Sequence, residues 1–282
     1  MSGAGNLFTV LDNRNYSIPN KILGEQASAL CNLSNPEKIR TEGLISLTQN
    51  SKDFAYEYNF FNPDGTSGMM CGNGGRCAAM FGQKSGFLER FDNSSQISFL
   101  MIGKKYQFEI INDNVKLFLP PPVSIKQGLT LVLDKFTIPL TYINVDSDHV
   151  VILFDDILEF VKEDFPAFDI KDFGSMVRFH EVFKPSGVNV NFIRVEDSST
   201  IFLRTYERGV EDETGACGTG AISSAISAAL MGQVLFPVTI IPTSGIPLQV
   251  DIFGNFPDKI EGITLSGSAE FIGEDEVEIE FN

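Results

Sequence analysis

The sequence predicts a mixed α/β fold, rich in strands and built from two similar halves, and three observations lead there. Short β-type runs bounded by turn-rich segments recur along the chain, with few helical stretches between them. A Cys-Gly-x-Gly motif occurs twice, separated by half the chain length. Each copy follows a polar loop that itself follows a strand, and each opens a helix-like segment, the echo expected of two similar domains. With 282 residues, 43% of them hydrophobic and 21% charged, the chain can bury a sizeable core as one large or two modest domains.

The elements follow in chain order. The opening residues 1–6 lack a basic region followed by an apolar one, so no leader is expected. Residues 22–31 are helix-like, and Cys31 there reads as a small core hydrophobe. Residues 54–60 form a β-type run, followed by a polar loop over 62–68, by Cys71-Gly72-Asn73-Gly74-Gly75, and by a helix-like stretch over 76–81. A further strand at 116–119 ends at Pro120-Pro121-Pro122, where a sheet ladder cannot continue and a domain boundary is expected. Residues 200–204 are the next strand, and the loop from Glu207 to Gly215 leads into Cys217-Gly218-Thr219-Gly220-Ala221. The helix over 221–231 carries no charge, which suits burial on every side.

Composition removes several classes of function. A net charge of −16 argues against a nucleic-acid surface, since binding a phosphate backbone depends on Lys and Arg. No run approaches the roughly 20 apolar residues that span a bilayer, so no membrane partner is expected and the protein reads as cytoplasmic. Four cysteines in a chain of this length do not make a disulfide scaffold. A helix N-terminus offers unpaired N–H groups and a positive dipole end, and glycines let a ligand approach that backbone. Such an end binds a carboxylate and favours thiolate over thiol, so Cys71 and Cys217 would flank a carboxylate site as two activated sulfurs. A pair of merely buried thiols is the plain alternative. A zinc site using Cys71, Cys77, Cys217 and His149 is another, but five residues separate Cys71 from Cys77, wider than structural zinc pairs, and no metal is expected. Cys77 reads as packing on its helix. No pyridoxal-phosphate lysine motif, P-loop or dinucleotide fingerprint is present, so no cofactor is expected.

These residues resemble the diaminopimelate epimerases along nearly the whole chain. The similarity is carried by Phe61-Asn62-Pro63-Asp64-Gly65, by Cys71-Gly72-Asn73-Gly74-Gly75-Arg76-Cys77, and by residues 206–220 from Tyr206-Glu207-Arg208-Gly209 to Cys217-Gly218-Thr219-Gly220. Gly187-Val188-Asn189-Val190-Asn191-Phe192 and the opening residues 3–8 also look like the family. The resemblance implies two pseudo-symmetric domains, each a curved, barrel-like sheet around a central helix, with the active site in the cleft between them. Residues 1–118 plus 266–282 would form one domain and 119–265 the other. It makes Cys71 and Cys217 the acid–base pair, supported by His149 and Glu207. Gly72, Asn73, Gly218 and Thr219 would give backbone donors to the carboxylate, and Asn6, Asn62, Asn189 and Arg208 would hold the far end of the substrate. Without the family, Asn62 reads rather as a turn former and Arg208 as a solvated charge beside Glu207, and His180 reads as a satisfied structural histidine.

Two departures from the family pattern stand out. The family usually carries Gly-Asn-Pro-His where this chain has Asp146-Ser147-Asp148-His149, and an acidic residue where this chain has Leu7. A shorter side chain at Ser147 and an added carboxylate at Asp148 would loosen the distal wall, so a broader racemase acting also on glutamate is the alternative to strict epimerisation of LL-diaminopimelate to the meso form. A non-catalytic amino-acid-binding protein is disfavoured, because binding needs neither thiol. The expected partner is a small amino acid, and a homodimer is an assembly open to such a chain.

Overall fold

Positive φ angles at Ala4 (56°) and Gly5 (95°) turn the chain tightly between β1 (Ser2–Gly3) and β2 (Asn6–Asp12). The structure is a computed structural model describing residues 1–32, 40–49, 51–68, 70–91, 96–133, 136–277 and 279. It falls into two compact units, Met1–Phe118 with Ser266–Asn282, and Leu119–Leu265.

In the first unit, helix α1 (Asn20–Cys31) starts behind Pro19, whose φ of −62° suits a helix entry. The chain returns as β3 (Gly43–Thr48), parallel to β2, as a strand can do only after a crossover. β4 (Glu57–Phe61) is antiparallel to β3. Helix α2 (Gly72–Lys84) is the next crossover, bringing β5 (Ile97–Met101) parallel to β4. β6 (Lys104–Ile111) and β7 (Asn114–Leu119) finish an antiparallel meander. Past Ser266 the chain rejoins this unit, and Glu270 and Ser2 exchange two backbone hydrogen bonds of 2.8 Å.

The second unit opens with β8 (Ser124–Leu133) and β9 (Phe136–Asn144), an antiparallel pair, and β10 (Asp148–Leu153) joins β9 antiparallel. Short α3 (Leu158–Val161) and then α4 (Ile170–Arg178) cross over to β11 (Asn189–Asp197), parallel to β10. β12 (Thr200–Glu207) is antiparallel to β11, and helix α5 (Gly218–Leu230) brings β14 (Val238–Pro242) parallel to β12. β15 (Leu248–Asn255) and β16 (Lys259–Ser268) complete the order. Within each unit the succession is thus strand, helix, parallel strand, antiparallel strand, helix, parallel strand. The loop before Cys217 differs from expectation: it contains β13 (Asp212–Thr214), which folds back on β12. Among the described residues, the matching loop of the first unit makes the isolated bridge Phe61–Ser67.

Helix α2 packs against β1 to β4 and β6, and α5 against β9 to β12, β14 and β15, so each is the central helix of a curved sheet. As expected, α5 is buried almost all round, from Gly220 to Ala229. Its Ile222 and Ile226 are at most 1% exposed, and each contributes about 1.5–3 kcal/mol by leaving water. Aromatic rings fill the rest: Tyr56 stacks on Phe108 and meets Phe99 at a tilt in the first unit, and Phe154, Phe165, Phe168 and Phe192 meet edge-on or tilted in the second. Cys31 and Cys77 are core thiols, 1% and 0% exposed.

Candidate active site

Both motif cysteines cap a helix with their sulfur. Cys71 precedes α2 with φ −120°, ψ 106°, and its Sγ accepts the Gly74 N–H at 3.3 Å. Cys217 precedes α5 with φ −117°, ψ 114°, and its Sγ accepts the Gly220 N–H at 3.4 Å. The two helices have 13 residues each. A cap acceptor normally comes from Ser, Thr, Asp or Asn, and here a polarisable sulfur takes that place. The amides of Gly72 and Asn73, and of Gly218 and Thr219, lie in the first turn, where a helix supplies no acceptor of its own. Negative charge on either sulfur is therefore met by a backbone donor and by the positive end of a helix.

The second glycine of each motif is required by what approaches it. A Cβ at Gly74 would stand 2.6 Å from the Tyr58 hydroxyl, and one at Gly220 would stand 2.5 Å from Asn191 Oδ1. Each central strand thus sends a polar group to the helix end where the sulfur sits. Tyr58 is fully buried, and its hydroxyl has no hydrogen-bond partner among the described residues. Burial, and then the nearby Cys71 and Cys77, push its pKa well up.

Around Cys71 the first unit places Arg76 with no exposure at all. Its guanidinium reaches Asn73 Oδ1 at 2.9 Å and the Gly72 carbonyl at 3.4 Å. Burial lowers its pKa to about 10, against the pull of Cys77 and Cys71. Burial drives the Cys77 thiol the other way, up to about 12, so it stays protonated. Asn6 is buried in β2 and donates to Glu42 at 2.8 Å, while its Oδ1 is buried with no hydrogen-bond partner among the described residues. Asn62 donates to Thr66 Oγ1 at 2.8 Å and closes the turn over 62–66, so the turn-forming reading holds for its side chain.

In the second unit His149 is fully buried on β10, flanked by Thr219 Oγ1 at 2.9 Å from Nε2 and by Asn191 Nδ2 at 3.1 Å from Nδ1. Burial foremost, then the Arg208 charge, lowers its pKa to about 3, so the imidazole is neutral. With both ring nitrogens engaged it has no lone pair to offer a metal. Thr219 Oγ1 lies 3.5 Å from Cys217 Sγ, so His149 reaches that sulfur through a hydroxyl. Glu207 is held by the Thr214 hydroxyl at 2.8 Å, and burial raises its pKa against that hydrogen bond.

Asn189 joins three residues: its amide donates to Ser147 Oγ at 3.0 Å and to the Asp148 carbonyl at 2.9 Å, and accepts the Arg208 N–H at 2.9 Å. Arg208 is paired and remains part-exposed, its side chain 28% accessible. Its Nη1 lies 3.2 Å from Asp148 Oδ2, whose other oxygen accepts from Tyr142 at 2.6 Å and Asn144 at 2.7 Å. Burial raises the Asp148 pKa, but those two hydrogen bonds and the Arg208 charge together hold it below the usual carboxylate value. His180 caps a short helical turn through Val182 and faces the Val132 carbonyl at 3.2 Å, the structural role read from the sequence. Among the described residues no cluster of three His, Cys, Asp or Glu side chains could hold a metal ion.

Tyr58, Arg76, Asn191 and Thr205 were not singled out by sequence as parts of the site. The only available signals were Arg76 inside the Cys71–Cys77 stretch and Asn191 inside residues 187–192.

Comparison with known proteins follows the same lines. The family model described as Diaminopimelate epimerase matches residues 141–258. A diaminopimelate epimerase of Aquifex aeolicus is 32% identical over 278 residues, covering 95% of this chain and 92% of the relative. One from Chlorobaculum tepidum is 31% identical, covering 96% and 97%. Among solved structures, a PhzF-family phenazine biosynthesis protein of Bacillus anthracis superposes with a TM-score of 0.73 at 12% identity, over 99% of this chain and 95% of that one. A hydroxyproline epimerase of Agrobacterium vitis gives 0.68 at 14% identity, over 96% and 89%, and both share the fold. With sulfur-capped helices in both units and relatives matched from end to end, this chain belongs to the diaminopimelate epimerase family.

Proposed function

We propose that this protein interconverts LL- and meso-diaminopimelate without a cofactor, using Cys71 and Cys217 as two thiol bases. The supporting observation is the equivalence of the two sulfurs, each capping a 13-residue helix through the third amide, in a chain of this family. Inverting a stereocentre needs a proton removed from one face of Cα and another delivered to the opposite face, so each face requires its own carrier. One sulfur starts as thiolate and takes the Cα proton. The electron pair left on carbon spreads into the carboxylate, which in this reading accepts from the first-turn amides of Gly72 and Asn73 and of Gly218 and Thr219. The other sulfur, starting as thiol, gives its proton to the opposite face and ends as thiolate.

In this reading Asn6, Asn62, Asn189 and Arg208 hold the distal end, and His149 and Glu207 support the thiols. Residues 1–118 with 266–282, and 119–265, are the two epimerase domains. The product serves lysine and peptidoglycan-precursor synthesis in the cytoplasm, and a homodimer is the proposed assembly. Among the described residues no helix is long and apolar enough to cross a membrane.

Asp148 bears on the glutamate alternative. It sets a carboxylate against Arg208, so this wall presents both charges and matches a distal carbon bearing carboxylate and ammonium together. Diaminopimelate has both, whereas glutamate lacks the ammonium. The test is incubation with LL-diaminopimelate, meso-diaminopimelate, glutamate or aspartate in deuterated water, followed by chiral analysis. The expected result is interconversion of the two diaminopimelates with deuterium at Cα. Deuterium uptake only into glutamate or aspartate overturns the substrate, and uptake into none overturns the reaction.

A further inference from the structure

Asn191 lies fully buried on β11, with both ends of its amide engaged. Its Nδ2 donates to the Val150 carbonyl at 2.9 Å and to His149 Nδ1 at 3.1 Å, and its Oδ1 accepts the Thr205 hydroxyl at 3.0 Å. A carbonyl oxygen only accepts, so turning the amide over would set Oδ1 against the Val150 oxygen. His149 Nδ1 must therefore present a lone pair, and the neutral ring carries its proton on Nε2. That proton points to Thr219 Oγ1 at 2.9 Å. Thr219, already accepting there, has its own hydroxyl proton to give to Cys217 Sγ, 3.5 Å away. Gly220 keeps the arrangement open, since a Cβ there would collide with Asn191 Oδ1.

We propose that Asn191 and Thr219 are positioning residues that set the direction of a hydrogen-bond chain, from Thr205 through Asn191, His149 and Thr219, that brings the Thr219 hydroxyl proton to the Cys217 sulfur. The inference deepens the proposed reaction and rests on Cys217 being one of its two proton carriers. As thiolate, Cys217 gains a hydroxyl donor beside the Gly220 amide. As thiol, it meets a Thr219 oxygen that already accepts from His149 and a hydroxyl proton aimed at the sulfur. A proton on Nδ1 instead would turn the Thr219 hydroxyl toward Nε2 and let the Cys217 S–H bond to Thr219, which holds that proton back. The charged groups acting on His149 are Arg208 and Asp148, paired with each other. Helix α5 brings none of its own.

The test has two readouts, neither of which needs substrate. The chain has two histidines, so nitrogen-15 NMR of His180→Gln protein observes His149 alone. The expected signature at neutral pH is a protonated Nε2 and an unprotonated Nδ1. In Asn191→Asp, where an acceptor replaces the donor, Nδ1 becomes protonated. A protonated Nδ1 in the parent, or an unprotonated one in Asn191→Asp, overturns the chain's direction. The second readout is iodoacetamide alkylation of each cysteine at neutral pH, followed by peptide mapping. Thr219→Val should slow alkylation of Cys217 about tenfold, the order of one hydrogen bond to a charged group. Thr219→Ser should restore it to within about twofold, with Cys71 in the same sample unchanged. Equal Cys217 rates in Thr219→Val and parent, or a deficit that Thr219→Ser does not repair, overturn the role of the hydroxyl. These outcomes stand whether or not diaminopimelate proves to be the substrate, so the two readings fail separately.

Discussion

Cys71 and Cys217 each accept a backbone amide at a helix end, and in the proposed reaction removing either sulfur removes a proton carrier while the helix keeps its other bonds. Cys71→Ala and Cys217→Ala are expected to lower epimerisation to background while circular dichroism and the unfolding midpoint stay close to the parent. Near-parental turnover in either variant defeats the two-base reading. Gly220→Ala is a finer probe: its methyl group meets Asn191 Oδ1 and must displace it, at a cost of about 1–3 kcal/mol measured by urea unfolding. An unchanged midpoint would show that the strand yields freely there. The two cysteines were legible in the sequence because motif and helix start are adjacent. Asn191 was not, because its work depends on strand register that places it beside Val151, against a histidine 42 residues away and a glycine 29 residues on. Asp148 was read only as a departure from a pattern. Its pairing with Arg208, 60 residues distant, needed the fold.

Helix α5 shows what one element can disclose in advance. Thirteen residues without a charge implied burial on all sides, and the sheet does wrap it. Ile226→Ala should therefore cost about 2–5 kcal/mol in urea unfolding, because strands on several sides limit how far the cavity can collapse. A loss below about 1 kcal/mol would mean that the sheet closes onto the gap. Helix α2 gave less away. Arg76 sits inside it with no exposure, and a guanidinium in the sequence suggests a wet face until the acceptors Asn73 and Gly72 are seen. β13 was also invisible beforehand: Asp212, Glu213 and Thr214 show no apolar alternation, and the strand exists through its pairing with β12.

The stability of the whole molecule should follow pH through its buried groups. His149 has its pKa lowered to about 3 from 6.5, so the fold favours the neutral ring. Its contribution is complete above pH 6.5 and is lost as pH falls toward 3, at about 1.4 kcal/mol per pH unit. Asp148, also lowered, adds a loss of the same sign below the ordinary carboxylate range. Glu207, raised, acts in the opposite sense: its contribution is present below 4.5 and fades as pH rises through its higher folded value. Urea midpoints of the parent between pH 6 and 4 should therefore fall more steeply than those of His149→Gln. Parallel slopes would show that His149 is not held neutral by the fold.

The pairing of Ser2 with Glu270 also has a consequence for synthesis. The first unit needs residues from Ser266 onward, which a ribosome makes about 150 residues after Phe118, roughly 8–30 s later at ordinary elongation rates. Through that interval the amino-terminal portion has emerged without its closing segment, so the usual order, in which the earlier part of a nascent chain matures first, is suspended here. Released chains truncated at Leu265 should yield a protease-resistant fragment from 119–265 and a sensitive one from 1–118, whereas the full chain should protect both. Equal resistance of the amino-terminal fragment in the two cases would mean that the returning segment only seals an already finished unit.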